Sequence, residues 1–223
     1  MQEENKDQKL EKVSVEEQQR DFNKVATNWD EKPRRVQLAT AVATAIKDNI
    51  PLDSTMKALE FGCGTGLVTF NLVNRLAHVT AIDSAAEMLE VVKQKAVAAD
   101  IDNITTSLNG SAIPELQDNH YDLIFSSMVL HHLPDIYAVL AEFRKALKSG
   151  GIVALADLDV EDGSFHSDPC GVVYCGIDRL WLNEQLLDLG FNHVQQTTAH
   201  TIVKYRSNGE QRYPVFLIWA QKL

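Results

Sequence analysis

The sequence predicts an α/β fold: a seven-stranded, mostly parallel sheet with helices on both faces and an antiparallel hairpin at its C-terminal end. Three observations predict it. Short apolar runs alternate with stretches of helical period from residue 56 to residue 159. The first run ends in a glycine-rich turn, Gly62-Cys63-Gly64-Thr65-Gly66. The last two β-rich stretches are separated by Ser207-Asn208-Gly209, a sequence suited to a tight reversal. Strand–helix alternation requires right-handed crossovers and a parallel sheet covered on both sides.

The elements follow in order. Residues 1–21 mix both charge signs with few apolar positions and read as a solvated, flexible or partly helical leader. Residues 22–223 read as one domain, since no linker or repeat interrupts them. Between Phe22 and Ile50 the apolar spacing is helical through Val36, Ala39, Thr40, Ala43 and Ile46, and Pro51 and Asp53 end it. Strands are expected at 56–61, 78–83, 104–108, 121–127 and 151–159. Helices are expected at 67–76, 85–98, 135–148 and 178–189. Asp135 is placed to cap its helix and Gly150 to lie just past the end of it. The strands of the hairpin fall at about 192–205 and 212–221.

Composition narrows the function classes. The chain has 223 residues, 45% hydrophobic and 23% charged, which is ordinary globular composition and excludes collagenous, disordered and disulfide-scaffold readings. Its 21 basic and 31 acidic residues give a net charge of -10, so no global field attracts a phosphate backbone and nucleic acid is disfavoured as a partner. Three widely spaced cysteines form no disulfide framework and suit a reducing compartment, so a cytoplasmic location is expected. No run approaches the ~18 apolar residues of a membrane span. The charged start, MQEENKDQKLEK, lacks the apolar core of a signal peptide.

Two segments point to a nucleoside ligand. Glycines at alternate positions where a strand turns into a helix let a ligand approach the backbone, and the helix that follows aims its amides at it. A dinucleotide fingerprint would place its third glycine one residue later, but position 67 is Leu, which argues against a nicotinamide or flavin enzyme. Asp83, at the tip of the second strand, is placed to accept from both ribose hydroxyls of an adenosine over the turn. The structural alternative is that Asp83 caps the next helix.

Other residues are candidates for the acceptor side of such a site. His131 and His132 leave the fourth strand beside the expected reversal of strand order, where an imidazole is able to take a proton near neutral pH. Their alternative role is structural packing. The long segment 157–178 makes His166, Tyr174 and Asp157 candidate substrate contacts, against a solvated acidic loop with a buried aromatic anchor. His166, Cys170 and Cys175 lack the paired spacings of zinc sites, so no metal is expected. Phe22, Trp29 and Tyr137 are aromatics near the expected mouth, and Trp29 is placed to fold over a bound cofactor.

Glu60-Phe61-Gly62-Cys63-Gly64-Thr65-Gly66, Asp83 through Leu89, Tyr121 through Ile124, His131 through Asp135, and Leu147 through Gly151 together resemble the class I S-adenosylmethionine-dependent methyltransferases. They are most similar to the small-molecule branch that includes the ubiquinone and menaquinone methyltransferases. The resemblance covers residues 22–160 and implies a Rossmann-like fold, S-adenosyl-L-methionine as cofactor, and methyl transfer to a small-molecule acceptor. It implies that Glu60, Gly62, Cys63, Gly64 and Gly66 hold the methionyl part. Asp83 with Ser84 would hold the ribose, Ala85 and Met88 would wall the adenine, and Ser111, Ala112 and Ser127 would complete the lining. The acidic adenine contact that many relatives carry after the third strand is replaced here by Ser111, a weaker neutral acceptor. A protein acceptor, or a non-catalytic cofactor-binding or scaffold role on the same fold, remains the alternative.

Overall fold

The computed structural model describes residues 22–206 and 209–223, so the leader and the first two residues of the predicted reversal lie outside the described residues. Twelve segments build the fold: α1 (Pro33–Asn49), β1 (Lys57–Phe61), α2 (Leu67–Leu72), β2 (His78–Asp83), α3 (Ala86–Ala98), β3 (Ile104–Leu108), β4 (Tyr121–Ser127), α4 (Ile136–Ala146), β5 (Leu147–Leu158), α5 (Arg179–Asp188), β6 (Phe191–Arg206) and β7 (Gly209–Lys222). They form a seven-stranded sheet of order β3-β2-β1-β4-β5-β7-β6. The first five strands run parallel, and β7 pairs antiparallel with both β5 and β6. Among the described residues no helix is long and apolar enough to cross a membrane.

Both faces of the sheet are covered by apolar layers. On one, α4 and α5 bury Leu140, Phe143, Leu182 and Leu186 against β4, β5 and β7. On the other, α1 and α2 bury Val42, Ile46, Val68 and Leu72 against β1, β4 and β6. Phe143 meets Phe61 edge to face at 5.2 Å between ring centres, which pins α4 beside the glycine turn. Two helix starts are capped by aspartate, the first as the sequence suggests. Asp135 accepts from the Ala138 amide, and Asp178 accepts from the amides of Leu180 and Trp181.

Three expectations change in the structure. The helix expected from Phe22 begins only at Pro33, after a 3-10 turn at Phe22–Val25. The proline holds Lys32 in extended conformation (ψ 105°), so helical geometry is blocked before it. The buried face of α1 is Leu38, Ala39, Val42, Ala43 and Ile46, while Val36 and Thr40 face outward, because packing against α2 and β6 selects the ridge that carries Leu38 and Val42. Finally, α4 ends at Ala146 and the fifth strand starts at Leu147 instead of 151. The amides of Asn119 and His120 capture the carbonyls of Lys145 and Ala146, and Leu147 pairs with Tyr121. Gly150, expected past the helix, therefore lies inside β5 near the register shift, with φ of 82°.

Phe143 is fully buried, so Phe143→Ala is expected to cost about 3–5 kcal/mol, read as a shift in the denaturant midpoint at constant slope.

Candidate active site

Strand order reverses between β1 and β4, and the loops leaving their carboxyl ends diverge to opposite faces. A cavity of about 590 Å³ opens at that divergence. Its floor is the glycine turn. The amides of Gly62 and Cys63 both donate to the Ile82 carbonyl, at 2.9 and 3.0 Å, which folds the turn back onto β2. Gly62 has φ of +69°, and a Cβ there would lie 2.4 Å from Val129 Cγ2. Gly64 has φ of +53°, and a Cβ there would meet nothing within 4 Å, because this part of the backbone faces open cavity.

Two carboxyl groups stand at the strand ends around the turn. Glu60 is 2% exposed, and its Oε2 accepts from the Thr69 amide at 3.0 Å and from the Thr69 hydroxyl. Burial pushes its pKa up to about 8 against those two bonds, so the carboxyl is largely protonated at neutral pH in the ligand-free protein. Asp83 Oδ2 accepts from the Gly64 amide at 2.7 Å, and Oδ1 accepts from the Ala85 amide at 2.9 Å. Burial raises the Asp83 pKa, and the amides oppose the rise. Asp83 thus ties the turn to the start of α3, but the N-cap position itself belongs to Ala85. Burial, reinforced by the Glu60 and Asp83 charges, pushes the Cys63 thiol well above its usual range, so it stays neutral.

The remaining candidates on the cofactor side fall around the same cavity, with two exceptions. Ser84, Met88, Ser111, Ala112 and Ser127 line it. The Ser111 hydroxyl donates to the Ile113 carbonyl, while its lone pairs are still able to accept. Gly66 and Ala85 do not line it. Gly66 is the left-handed N-cap of α2, and a Cβ there would press on Phe70 and Val92.

On the other wall, His131 is 1% exposed and its Nδ1 lies 2.6 Å from Oδ1 of a fully buried Asp157. Burial would raise the Asp157 pKa, but the adjacent His131 and its hydrogen bonds, with the Leu158 amide, hold it below the usual value. The ionised carboxylate makes Nδ1 the donor, and Nε2 lies on the opposite side of the ring. That atom is buried without a hydrogen-bond partner among the described residues. The His132 and His166 rings lie over it, 4.1 and 5.1 Å away between centres, and all three imidazoles line the cavity. The loop after β5 holds them there. The amides of Val173 and Tyr174 donate to the His131 carbonyl, and His132 Nδ1 is 2.6 Å from the Gly171 carbonyl.

Two expected substrate contacts are corrected. Asp157 lies beneath His131 and does not reach the cavity. Tyr174 is 6% exposed within the apolar layer, and its hydroxyl reaches the Pro134 carbonyl at 3.4 Å. Its ring buries the base of the loop because the preceding amides are already tied to His131. Tyr137 likewise lies away from the mouth and donates to Asp188 at 2.7 Å. Among the described residues no group of three or more His, Cys, Asp or Glu side chains is arranged to hold a metal ion. Sequence reasoning missed a clasp over the turn. Asp30 accepts from the Thr65 hydroxyl at 2.5 Å and from Lys95 at 2.9 Å, and Lys95 also donates to the Thr65 carbonyl. No motif marks it, because its three members are distant in the chain.

A profile described as a methyltransferase domain matches residues 59–155, the stretch from within β1 into β5. Over that stretch the chain is similar to the class I S-adenosylmethionine-dependent methyltransferases. It is 37% identical over 102 residues to a demethylmenaquinone methyltransferase of Staphylococcus aureus, covering 44% of this chain and 41% of that one. It is 28% identical over 110 residues to a ubiquinone biosynthesis O-methyltransferase of Haemophilus ducreyi, covering 46% and 45%. The fold matches that of an S-adenosylmethionine-dependent methyltransferase from Aquifex aeolicus with a TM-score of 0.67 at 20% identity, over 90% of this chain and 98% of that one. The chain spans about half the length of the first curated relatives it matches.

S-adenosylmethionine is the cofactor of the methyltransferases this chain is similar to, and the residues present fit it. The open face at Gly64 admits a ligand against the backbone, Glu60 offers a carboxyl to an ammonium, and Asp83 offers one to vicinal hydroxyls. Ile82 and Met88 give a flat base apolar walls.

Two predictions follow from the carboxyl groups. An ammonium placed beside Glu60 favours its ionised form, so cofactor binding at pH 7 should release a proton. Affinity should then rise with pH and level off above about 8. Calorimetry in two buffers of different ionisation heat checks this, and equal apparent enthalpies would count against it. Without ligand the sign is opposite for stability: the raised pKa makes Glu60 destabilising as pH climbs from about 4.5 to about 8. Replacing Asp83 with Ala should weaken the cofactor by about 1.5–3 kcal/mol, tenfold to a hundredfold, by equilibrium titration. A melting midpoint measured alongside separates this from loss of the Gly64 and Ala85 ties.

Proposed function

We propose that the protein transfers a methyl group from S-adenosylmethionine to a protonated oxygen or nitrogen of a small-molecule acceptor. The observation that carries the reading is the buried Asp157 carboxylate held against His131 at the wall of the cavity that Glu60, Gly64 and Asp83 also line. Relatives named for demethylmenaquinone and for ubiquinone biosynthesis support a small-molecule acceptor.

When bound, the cofactor supplies a methyl carbon made electrophilic by a sulfonium, which leaves with the bonding electron pair. The protein's own task is then to orient, to exclude water and to accept a proton. Glu60 and Asp83 orient the donor from the strand ends. Trp29, held by Arg35 stacked 3.4 Å over its ring, and the clasp of Asp30 on Thr65 roof the donor end. The imidazole cluster of His131, His132 and His166 receives the acceptor's proton as its heteroatom bonds to carbon. Asp157 is a positioning residue: it fixes the His131 tautomer and its charge stabilises the protonated cluster.

Asp157→Asn keeps the shape and removes the charge. It should lower turnover of a hydroxyl or amine acceptor by about a hundredfold or more, with cofactor affinity unchanged. Acceptors that arrive already ionised should be spared. A methyl-donor turnover screen over phenols, amines, thiols and carboxylates, with demethylated cofactor as readout, supplies the acceptors for this comparison. Equal loss for both kinds would assign Asp157 to folding, and the melting midpoint of the variant would show it.

A further inference from the structure

Three cations gather at one end of the cavity, away from Glu60 and Asp83, while Arg35, which also lines it, is engaged with Trp29. Glu60 and Asp83 occupy the donor end. Lys32 and Arg34 from the start of α1, and Lys204 from β6, occupy the other, where α1 packs on β6 through Leu38 and Ile202. This concentration of positive charge occurs in a chain of net charge -10. Arg34 is exposed and makes no hydrogen bond or ion pair with any described residue. Lys204 is anchored: its Nζ lies 3.6 Å from the centre of the Phe165 ring and donates to the Phe165 carbonyl. We infer that this wall binds a carboxylate on the methyl acceptor, remote from the atom that is methylated. The inference rests on the methyl-transfer reading of the same cavity.

Three features support it. The Lys204 ammonium is held down to about 8 by burial, with the neighbouring positive charges of Arg34 and Arg206 adding to it and Glu161 opposing. Cations crowded in this way gain from an anion placed among them. Asp168 is the acidic side chain on this part of the lining, and its Oδ1 is engaged by the Cys170 amide at 3.1 Å. A carboxylate fits better than a phosphate, because the α1 start offers no amide cradle: Pro33 sits in its first turn and has no N–H to give. A guanidinium fork beside an ammonium suits a planar, singly charged group.

The spacing also defines the acceptor's body. Lys204 touches Phe165, Phe165 meets His166 at 4.8 Å between ring centres, and His166 meets His131 at 5.1 Å. The cationic wall and the imidazoles are thus separated by aromatic surface, with Leu38 and Ile202 alongside. The acceptor that fits has a carboxylate at one end, an apolar ring or short chain in the middle, and the methylated heteroatom at the other.

The test is binding to the protein with and without demethylated cofactor, using hexanoate and phenylacetate against hexanamide and phenylacetamide, with phenyl phosphate as a second anion. The acids should bind at least about tenfold more tightly than their amides. Arg34→Gln and Lys204→Gln should each erase most of that gap while leaving affinity for demethylated cofactor unchanged. Equal affinity of acid and amide, or an unchanged gap in both variants, would overturn the inference. Binding of phenyl phosphate with no binding of either acid would overturn the carboxylate assignment as well. Failure of the demethylated cofactor to bind would instead strike the methyl-transfer reading, and the acid–amide comparison made without it would still judge the wall.

Discussion

Three carboxyl groups stand at the ends of three strands, Glu60 and Asp157 buried and Asp83 half-buried, and removing each from water is costly unless it is met by donors. Glu60 on β1, Asp83 on β2 and Asp157 on β5 all sit at the same edge of the sheet. Each is met from a different segment: Glu60 by Thr69 of α2, Asp83 by the amides of Gly64 and Ala85, and Asp157 by His131 and the Leu158 amide. Those bonds decide where α2, the glycine turn and the segment after β4 come to rest. The cavity is what remains between segments drawn to three carboxyl groups. The outcomes differ because the donors differ. Burial outweighs the two bonds from Thr69, so Glu60 stays protonated to about 8, whereas the imidazole beside Asp157 keeps that carboxyl ionised.

Much of this was legible in the sequence wherever a short segment carries its own instruction. Glycines at 62, 64 and 66 announce a turn with positive φ, and all three have it. Asp135 announces a helix start because its side chain satisfies an amide three residues away. The hairpin was legible from its composition, although its strands extend beyond the expected ends to Phe191–Arg206 and Gly209–Lys222. The alternation of β1 to β5 with helices fixed their parallel order.

What the sequence withheld depends on pairs of residues far apart in it. Whether Val36 or Leu38 turns inward depends on α2 and β6, and nothing within α1 decides it. Asp157 carries the same letter whether it faces a ligand or an imidazole; only the path of His131 beneath the loop at 171–174 assigns it. Tyr174 was misplaced for a related reason, since the amides beside it bind the His131 carbonyl and leave its ring pointing into the core. The clasp of Asp30, Thr65 and Lys95 and the meeting of Arg34 with Lys204 are likewise products of tertiary packing.

The segment matched by the methyltransferase profile, residues 59–155, contains Glu60, the glycine turn, Asp83, His131 and His132. Arg34, Phe165, His166 and Lys204 all fall outside it. The cavity is therefore built from two stretches of different standing: a shared floor in the middle of the chain, and an opposite wall contributed by the start of the described chain and by everything after β5. Wall and floor share the apolar layer beneath α1 and the pairing of β7 with β5, and beside the cavity they meet where the amides of Val173 and Tyr174 donate to the His131 carbonyl. The floor thus positions whatever occupies the glycine turn, while the side chains that face it across the cavity come from α1, the loop after β5 and β6, and a change in those segments alters the wall and leaves Glu60, Gly64 and Asp83 in place.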